Sequence, residues 1–320
     1  MSWFSIWPAE GGDGIDPKVK AALEAQGPAP DNRTVPPAEL RLTFTRQAAL
    51  VPKLPEPLAR VEDRAIDTPA GPLRVRVYTP EGKTPFPILL YFHGGGWVVG
   101  GLETHDGVCR SLARRAGAVV VSVDYRLAPE TKFPGAPDDA LAALRWAASQ
   151  ASELGGDAAR LAVGGDSAGA NLAAALALRV RDQGGPRIGF QLLIYPVTDF
   201  DFDTASYHEF ATGYPLTRSN MQWFWESYRA SPSDAENPYA APLRTADLAG
   251  LPPAFILTAH FDVLRDEGEA YAKRLHEAGV PVRCVRFRGM THGFIRMGAV
   301  FPQADRALTE LARSFSSTLA

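Results

Sequence analysis

Ser167 stands in the run Gly165-Asp166-Ser167-Ala168-Gly169, between a short apolar stretch, Arg160 to Gly164, and an Ala/Leu-rich stretch without Gly or Pro, Ala170 to Val180. A strand that enters a helix through a turn flanked by glycines holds the serine in a strained backbone conformation and pushes its hydroxyl outward. The five-residue pattern alone recurs by chance, so its surroundings must carry the argument. They do so at Tyr91-Phe92-His93-Gly94-Gly95-Gly96-Trp97, where three glycines follow the strongly apolar run Phe86 to Phe92. Attack of a serine oxygen on a carbonyl builds negative charge on the carbonyl oxygen, and fixed N–H groups stabilise it, each contributing roughly 10²–10³ in rate. The expected donors are the backbone amides of Gly95 and Gly96, with Gly94 beside them, and of Ala168 after the nucleophile.

A serine hydroxyl needs a base, and the chain has six histidines. His292 fits best, in the Gly-flanked segment Arg288 to Phe294 that follows the strand-like Val282–Phe287. His93 reads as an anchor for the glycine loop; His105, His208, His260 and His276 read as surface or satisfied residues. The imidazole in turn needs a carboxylate on another strand end to fix its tautomer and offset its charge. Asp262 follows the apolar run Ala254–Thr258 and gives the chain order Ser, Asp, His. Asp199 ranks second, while Asp266 and Glu267 read as the first turn of a helix, where carboxylates favour the helix dipole.

Together these segments resemble the hormone-sensitive-lipase group of α/β-hydrolases, bacterial carboxylesterases that carry HGGG and GDSAG motifs. The resemblance rests on Tyr91 to Gly96, Val123 to Glu130, Phe133 to Asp139, Gly165 to Asn171, Leu193 to Pro196, Asp262 with Leu264 to Glu267, and His292 to Phe294, and runs from about residue 70 to the C-terminus. One departure is Val263, where the family usually has proline after its acid. The resemblance implies a serine carboxylesterase for short- to medium-chain esters, with Ser167, Asp262 and His292 as triad. It also implies that Asp166 and the segment Asp124–Glu130 brace the site. The same triad would serve an amidase, an arylformamidase or a deacetylase, and plant gibberellin receptors resemble the family without its catalytic histidine.

The elements that must position these residues alternate. Strand-like runs near 73–79, 88–92, 118–123, 161–163, 190–195, 254–258 and 282–287 are separated mostly by helix-like stretches near 105–116, 137–150, 170–181 and 267–278, with a last one at 303–317. The pattern predicts an α/β-hydrolase with a mostly parallel central sheet flanked by helices and active residues at the C-terminal strand ends. Residues 46–320 form the expected catalytic domain. Two segments break the alternation: residues 1–45, with one helix-like stretch at 17–26, and 200–228, which holds nine aromatic residues. Both are expected to build a small helical cap. Trp97, Trp223 and Phe224 are candidates for lining an apolar substrate pocket, although packing of cap on core would call for the same composition.

Composition excludes other classes. The net charge of −3 over 320 residues leaves no basic footprint for nucleic acid or an anionic membrane surface, and no leader or membrane-spanning stretch is read in the chain, so a cytoplasmic enzyme without stable membrane association is expected. Cys109 and Cys284 lack any metal or redox spacing, and no cofactor or metal is implied. The only partner implied is a small-molecule ester, with a homodimer possible if strand 282–287 lies at a sheet edge.

Overall fold

The computed structural model describes residues 2–8, 14–27 and 29–319. Nine strands form one sheet: β1 (Phe4–Trp7), β2 (Arg60–Thr68), β3 (Gly71–Thr79), β4 (Phe86–Phe92), β5 (Val119–Val123), β6 (Gly156–Asp166), β7 (Ile188–Ile194), β8 (Ala254–Phe261) and β9 (Val282–Thr291). Their order is β1-β9-β8-β7-β6-β4-β5-β3-β2, with antiparallel pairing only between β2 and β3 and between β3 and β5. Every residue of β4 and β5 is buried, as expected for parallel strands covered on both faces. Helices α3 (Asp106–Ala116) and α9 (Pro302–Leu319) cover one face, together with Val19 of α1 (Pro17–Gln26). Helices α4 (Gly135–Ser149), α5 (Ala168–Gln183) and α8 (Arg265–Glu277) cover the other. The expected architecture and all seven expected strands are present.

The sheet's edges depart from expectation. β1 pairs in parallel with β9, Phe4 opposite Cys284 through Trp7 opposite Phe287, so β9 is not an edge strand and the premise of a dimer built on its free edge is removed. Trp7 stacks on Phe287 at 5.6 Å and the Arg286 guanidinium lies over the Phe4 ring at 5.6 Å, contacts that help seat this four-residue strand on β9. The other edge is β2, whose Arg60, Glu62, Asp63, Arg64 and Asp67 are a charged deterrent to further pairing. Two helices between the expected elements face the strand ends that carry Ser167 and His292: α2 (Pro37–Leu50), none of whose residues is fully buried, and α7 (Arg218–Tyr228), which follows the single-turn α6 (Ala205–Glu209).

The nucleophile turn depends on how close two neighbouring strands lie. β6 runs beside β4 with Gly165 opposite Phe92, and α5 leaves the sheet immediately after Ser167. A Cβ on Gly165 or Gly169 would collide with the Phe92 carbonyl. The glycines of the motif therefore serve close approach, and the strained dihedral falls on Ser167 itself, at φ 56° and ψ −121°. Gly169→Ala should cost at least about 3 kcal/mol in urea unfolding, because the obstacle is sheet backbone that cannot give way. Gly107→Ala in α3, with open space around the new methyl group, should change stability by less than about 1 kcal/mol.

Candidate active site

Three strand ends bring the site together. Ser167 ends the β6 turn, Asp262 follows β8 directly and His292 follows β9 directly. His292 Nε2 lies 3.0 Å from Ser167 Oγ, and Nδ1 lies 2.7 Å from Asp262 Oδ2. Asp262 is buried and also accepts the Leu264 amide at 3.0 Å, so its carboxylate is held from both sides. Facing a carboxylate, Nδ1 must carry the ring proton, which leaves the Nε2 lone pair aimed at the serine hydroxyl. The Tyr195 ring packs 4.6 Å from the imidazole and fixes its plane.

Ser167 is also the N-cap residue of α5, a position where serine usually turns its oxygen to the helix amides. Here it makes no such bond, and the hydroxyl faces His292. The first amide of α5, on Ala168, is thereby left pointing out of the helix with the favourable end of its dipole. Across the gap, the amides of Gly95 and Gly96 meet no acceptor among the described residues. Gly94 does not join this set, contrary to expectation: its N–H donates to Asp166 Oδ1 at 3.0 Å. Gly95 and Gly96 have φ of 126° and 57°, and a Cβ on Gly96 would strike the Phe224 ring, so glycine is required where α7 leans on the loop.

Asp166 organises the surroundings. It is buried and accepts from Tyr91 Oη at 2.8 Å, Gly94 N at 3.0 Å and Tyr195 Oη at 3.4 Å, with His105 Nε2 at 3.2 Å. Burial works against its charge, but His105, the tyrosine hydroxyl and Arg296 outweigh it and hold the carboxyl well below the usual range. His105, read from sequence as a surface or satisfied histidine, is satisfied and buried inside the site, with Thr104 Oγ1 2.8 Å from its Nδ1. His93 does anchor the glycine loop: its Nδ1 lies 2.9 Å from Gly94 O, its ring stacks on Tyr125 at 4.3 Å, and burial depresses its pKa to about 3. Tyr125 Oη donates to His93 O at 2.8 Å, which ties the 124–130 segment to the loop.

The other acid candidates lie elsewhere. Asp199 pairs with Arg244, and Asp266 accepts from Arg265 and Ser206. Glu267 is buried, accepts from Thr198 N at 2.6 Å and leaves Oε2 without a partner; burial raises its pKa well above the usual value.

A cavity of about 220 Å³ opens over Ser167 and His292. Leu40, Phe44, Leu216, Met221 and Phe224 give it apolar walls, and Arg296 lies at its side. Of the three expected aromatic liners, Phe224 reaches it. Trp97 does not: it is buried and stacked on Tyr228 at 4.2 Å, with Trp225 edge-on. Trp223 is also outside the wall, packed against Phe224 at 5.3 Å. Sequence reading missed the α2 contributions because α2 carries no strong apolar periodicity. The helix is held by Arg41, which donates to Val98 O and Ala128 O at 2.8 Å and pairs with Glu130. Asn32 N and Arg33 similarly bind Asn220 and Glu226 of α7.

Comparison with known proteins agrees with this fold. Residues 89–296 match the model of a family with the alpha/beta hydrolase fold. The chain is 47% identical over 263 residues to esterase LipI of Mycobacterium tuberculosis, covering 80% of this chain and 82% of LipI. It is 40% identical over 288 residues to ethyl acetate hydrolase of Pseudomonas putida, covering 88% and 90%. A solved thermostable esterase from Pseudomonas putida, 40% identical, superposes with a TM-score of 0.92 over 97% of this chain and 99% of that one. The chain belongs to the α/β-hydrolase family, in its hormone-sensitive-lipase-like carboxylesterase group. It is a carboxylic ester hydrolase.

Glu267→Gln tests the cost of the buried acid. A carboxyl whose folded pKa is raised contributes its stability below the unfolded value near 4.5 and loses it as pH rises toward the folded value. The variant should therefore melt higher than wild type at pH 8, with the difference shrinking toward pH 4 in scans of thermal unfolding.

Proposed function

We propose that the chain hydrolyses short- to medium-chain carboxylic esters by two-step acyl transfer through Ser167. The observation that carries this reading is the relay from Asp262 through His292 to Ser167 Oγ, at 2.7 and 3.0 Å, on the floor of an apolar cavity. His292 Nε2 takes the serine proton as Oγ bonds to the ester carbonyl carbon. The amides of Gly95, Gly96 and Ala168 receive the oxyanion, and Asp262 offsets the imidazolium. As the tetrahedral adduct collapses, the ester C–O bond breaks and His292 hands its proton to the departing alcohol. Water then attacks the acyl-enzyme with His292 again as base, releasing the acid and restoring Ser167.

Residues 1–45, where described, and 200–228 act in this reading as a cap, and the walls from Leu40, Phe224 and Met221 supply the acyl site. The ethyl acetate hydrolase named among the relatives supports small acyl groups. Cys109 and Cys284 are free and buried, which supports a cytoplasmic location. Among the described residues no helix is long and apolar enough to cross a membrane. A homodimer contact is placed in this reading at the outer edge of β1, where Ile6 is exposed, and light scattering at micromolar concentration decides whether the dimer forms.

Hydrolysis of p-nitrophenyl esters from acetate to palmitate by wild type and Ser167→Ala tests the reading. Wild type should favour the shorter chains, and the variant should lose roughly 10³-fold or more in kcat. Equal rates for the two proteins would remove Ser167 from the mechanism.

A further inference from the structure

Arg296 is the one lysine or arginine among the cavity's lining residues, and no step of the proposed ester hydrolysis uses it. It lies in the 3₁₀ turn Phe294–Met297, four residues after His292, and borders the same cavity as Ser167. Its guanidinium stacks over the Phe44 ring of α2 at 4.5 Å, and Nη2 lies 3.6 Å from where a Cβ on Gly293 would stand, so the charged end sits beside the histidine loop. Most arginines around the site are saturated: Arg41 is paired with Glu130, Arg33 with Glu226 and Arg265 with Glu209 and Asp266. Arg296 differs, since among the described residues no side chain or carbonyl accepts a hydrogen bond from its guanidinium. Asp166 feels its charge but accepts no hydrogen bond from it. Asp166 and Asp262 are buried and already occupied by Tyr91, Gly94 and His105 and by His292 and Leu264.

A planar cation with five N–H donors, fixed on an aromatic face at the wall of a cavity whose other lining side chains are apolar, neutral polar or, in Asp166, already hydrogen-bonded, is suited to a planar anion. The ring contact holds the fork in place without neutralising it. We propose that Arg296 selects esters that carry an ionised carboxylate in addition to the ester being cut. This inference rests on Ser167 being the nucleophile of the same cavity. The second carboxylate can sit on the acyl half or on the alcohol half of the substrate; both present the same chemistry to the guanidinium.

Two substrate pairs separate these cases. Monomethyl against dimethyl glutarate places the charge on the acyl side, and 4-acetoxybutyrate against its methyl ester places it on the alcohol side. The readout is the ratio of kcat/KM for the charged over the neutral member within one enzyme, so a general loss of activity cancels. In at least one pair Arg296→Gln should lower the ratio about fivefold, the upper scale of one partly exposed charge pair. Arg296→Lys should recover most of it, and the wild-type ratio should fall as ionic strength rises from about 20 to 500 mM, because salt screens such a contact. Calorimetric binding of the charged ester to Ser167→Ala should weaken in the same way on adding Arg296→Gln. Ratios that agree within twofold between wild type and Arg296→Gln in both pairs, or a wild type that cuts the neutral esters and neither charged one, would overturn the proposal and leave the esterase reading intact. No turnover of any ester by wild type would instead overturn the reading on which it rests.

Discussion

The carboxylate of Asp166 is the constraint around which the site is built. A buried charge costs several kcal/mol unless donors surround it, and here those donors come from four places: Tyr91 in β4, Gly94 in the loop after it, His105 at the start of α3 and Tyr195 at the end of β7. Satisfying this one group fixes the glycine loop against the residue that precedes the nucleophile. The amides of Gly95 and Gly96 inherit their position from the Gly94–Asp166 bond, and Ser167 and these two amides become one rigid unit.

Strain and close packing complete that unit. Ser167 keeps a positive φ because α5 must leave the sheet within one residue, while Gly165 and Gly169 let β4 pass against the turn. The hydroxyl is withheld from its local role as a helix cap, which would have hidden it in the backbone. The geometry on which the proposed mechanism draws is thus stored in the fold, the condition under which fixed dipoles stabilise developing charge most effectively. Above this floor the walls are held by ion pairs and hydrogen bonds such as Arg41–Glu130 and Arg33–Glu226, many of them exposed to solvent. Contacts of that kind contribute little each, so the cap side is the part of the site best able to move.

The central sheet and the residues at its strand ends were readable because parallel strands buried on both faces leave apolar runs, as before Ser167 and Asp262, while His292 follows the strand Val282–Thr291, in which Val282, Cys284, Val285 and Phe287 are interspersed with arginines. The edges were not. β1 is four residues long, and β2 has one fully buried residue, Ile66, so neither carries a clear period. α2 covers a cavity instead of the sheet and lacks a buried stripe. Trp97 illustrates a different limit: composition marks an aromatic as apolar, but only packing decides that it stacks on Tyr228 and not on a ligand. Gly94 and His105 escaped for a related reason. Their partner is Asp166, 72 and 61 residues away in the chain, and no local spacing reports such a bond.

The central claim is that Ser167 is a nucleophile made reactive by this framework. Labelling with diethyl p-nitrophenyl phosphate, followed by intact-mass and peptide mass spectrometry, addresses it directly. The expected result is one diethylphosphoryl group per chain, on Ser167, with activity lost in proportion to labelling. Loss of activity with Ser167 unmodified, or labelling in proportion at another residue, would contradict the account.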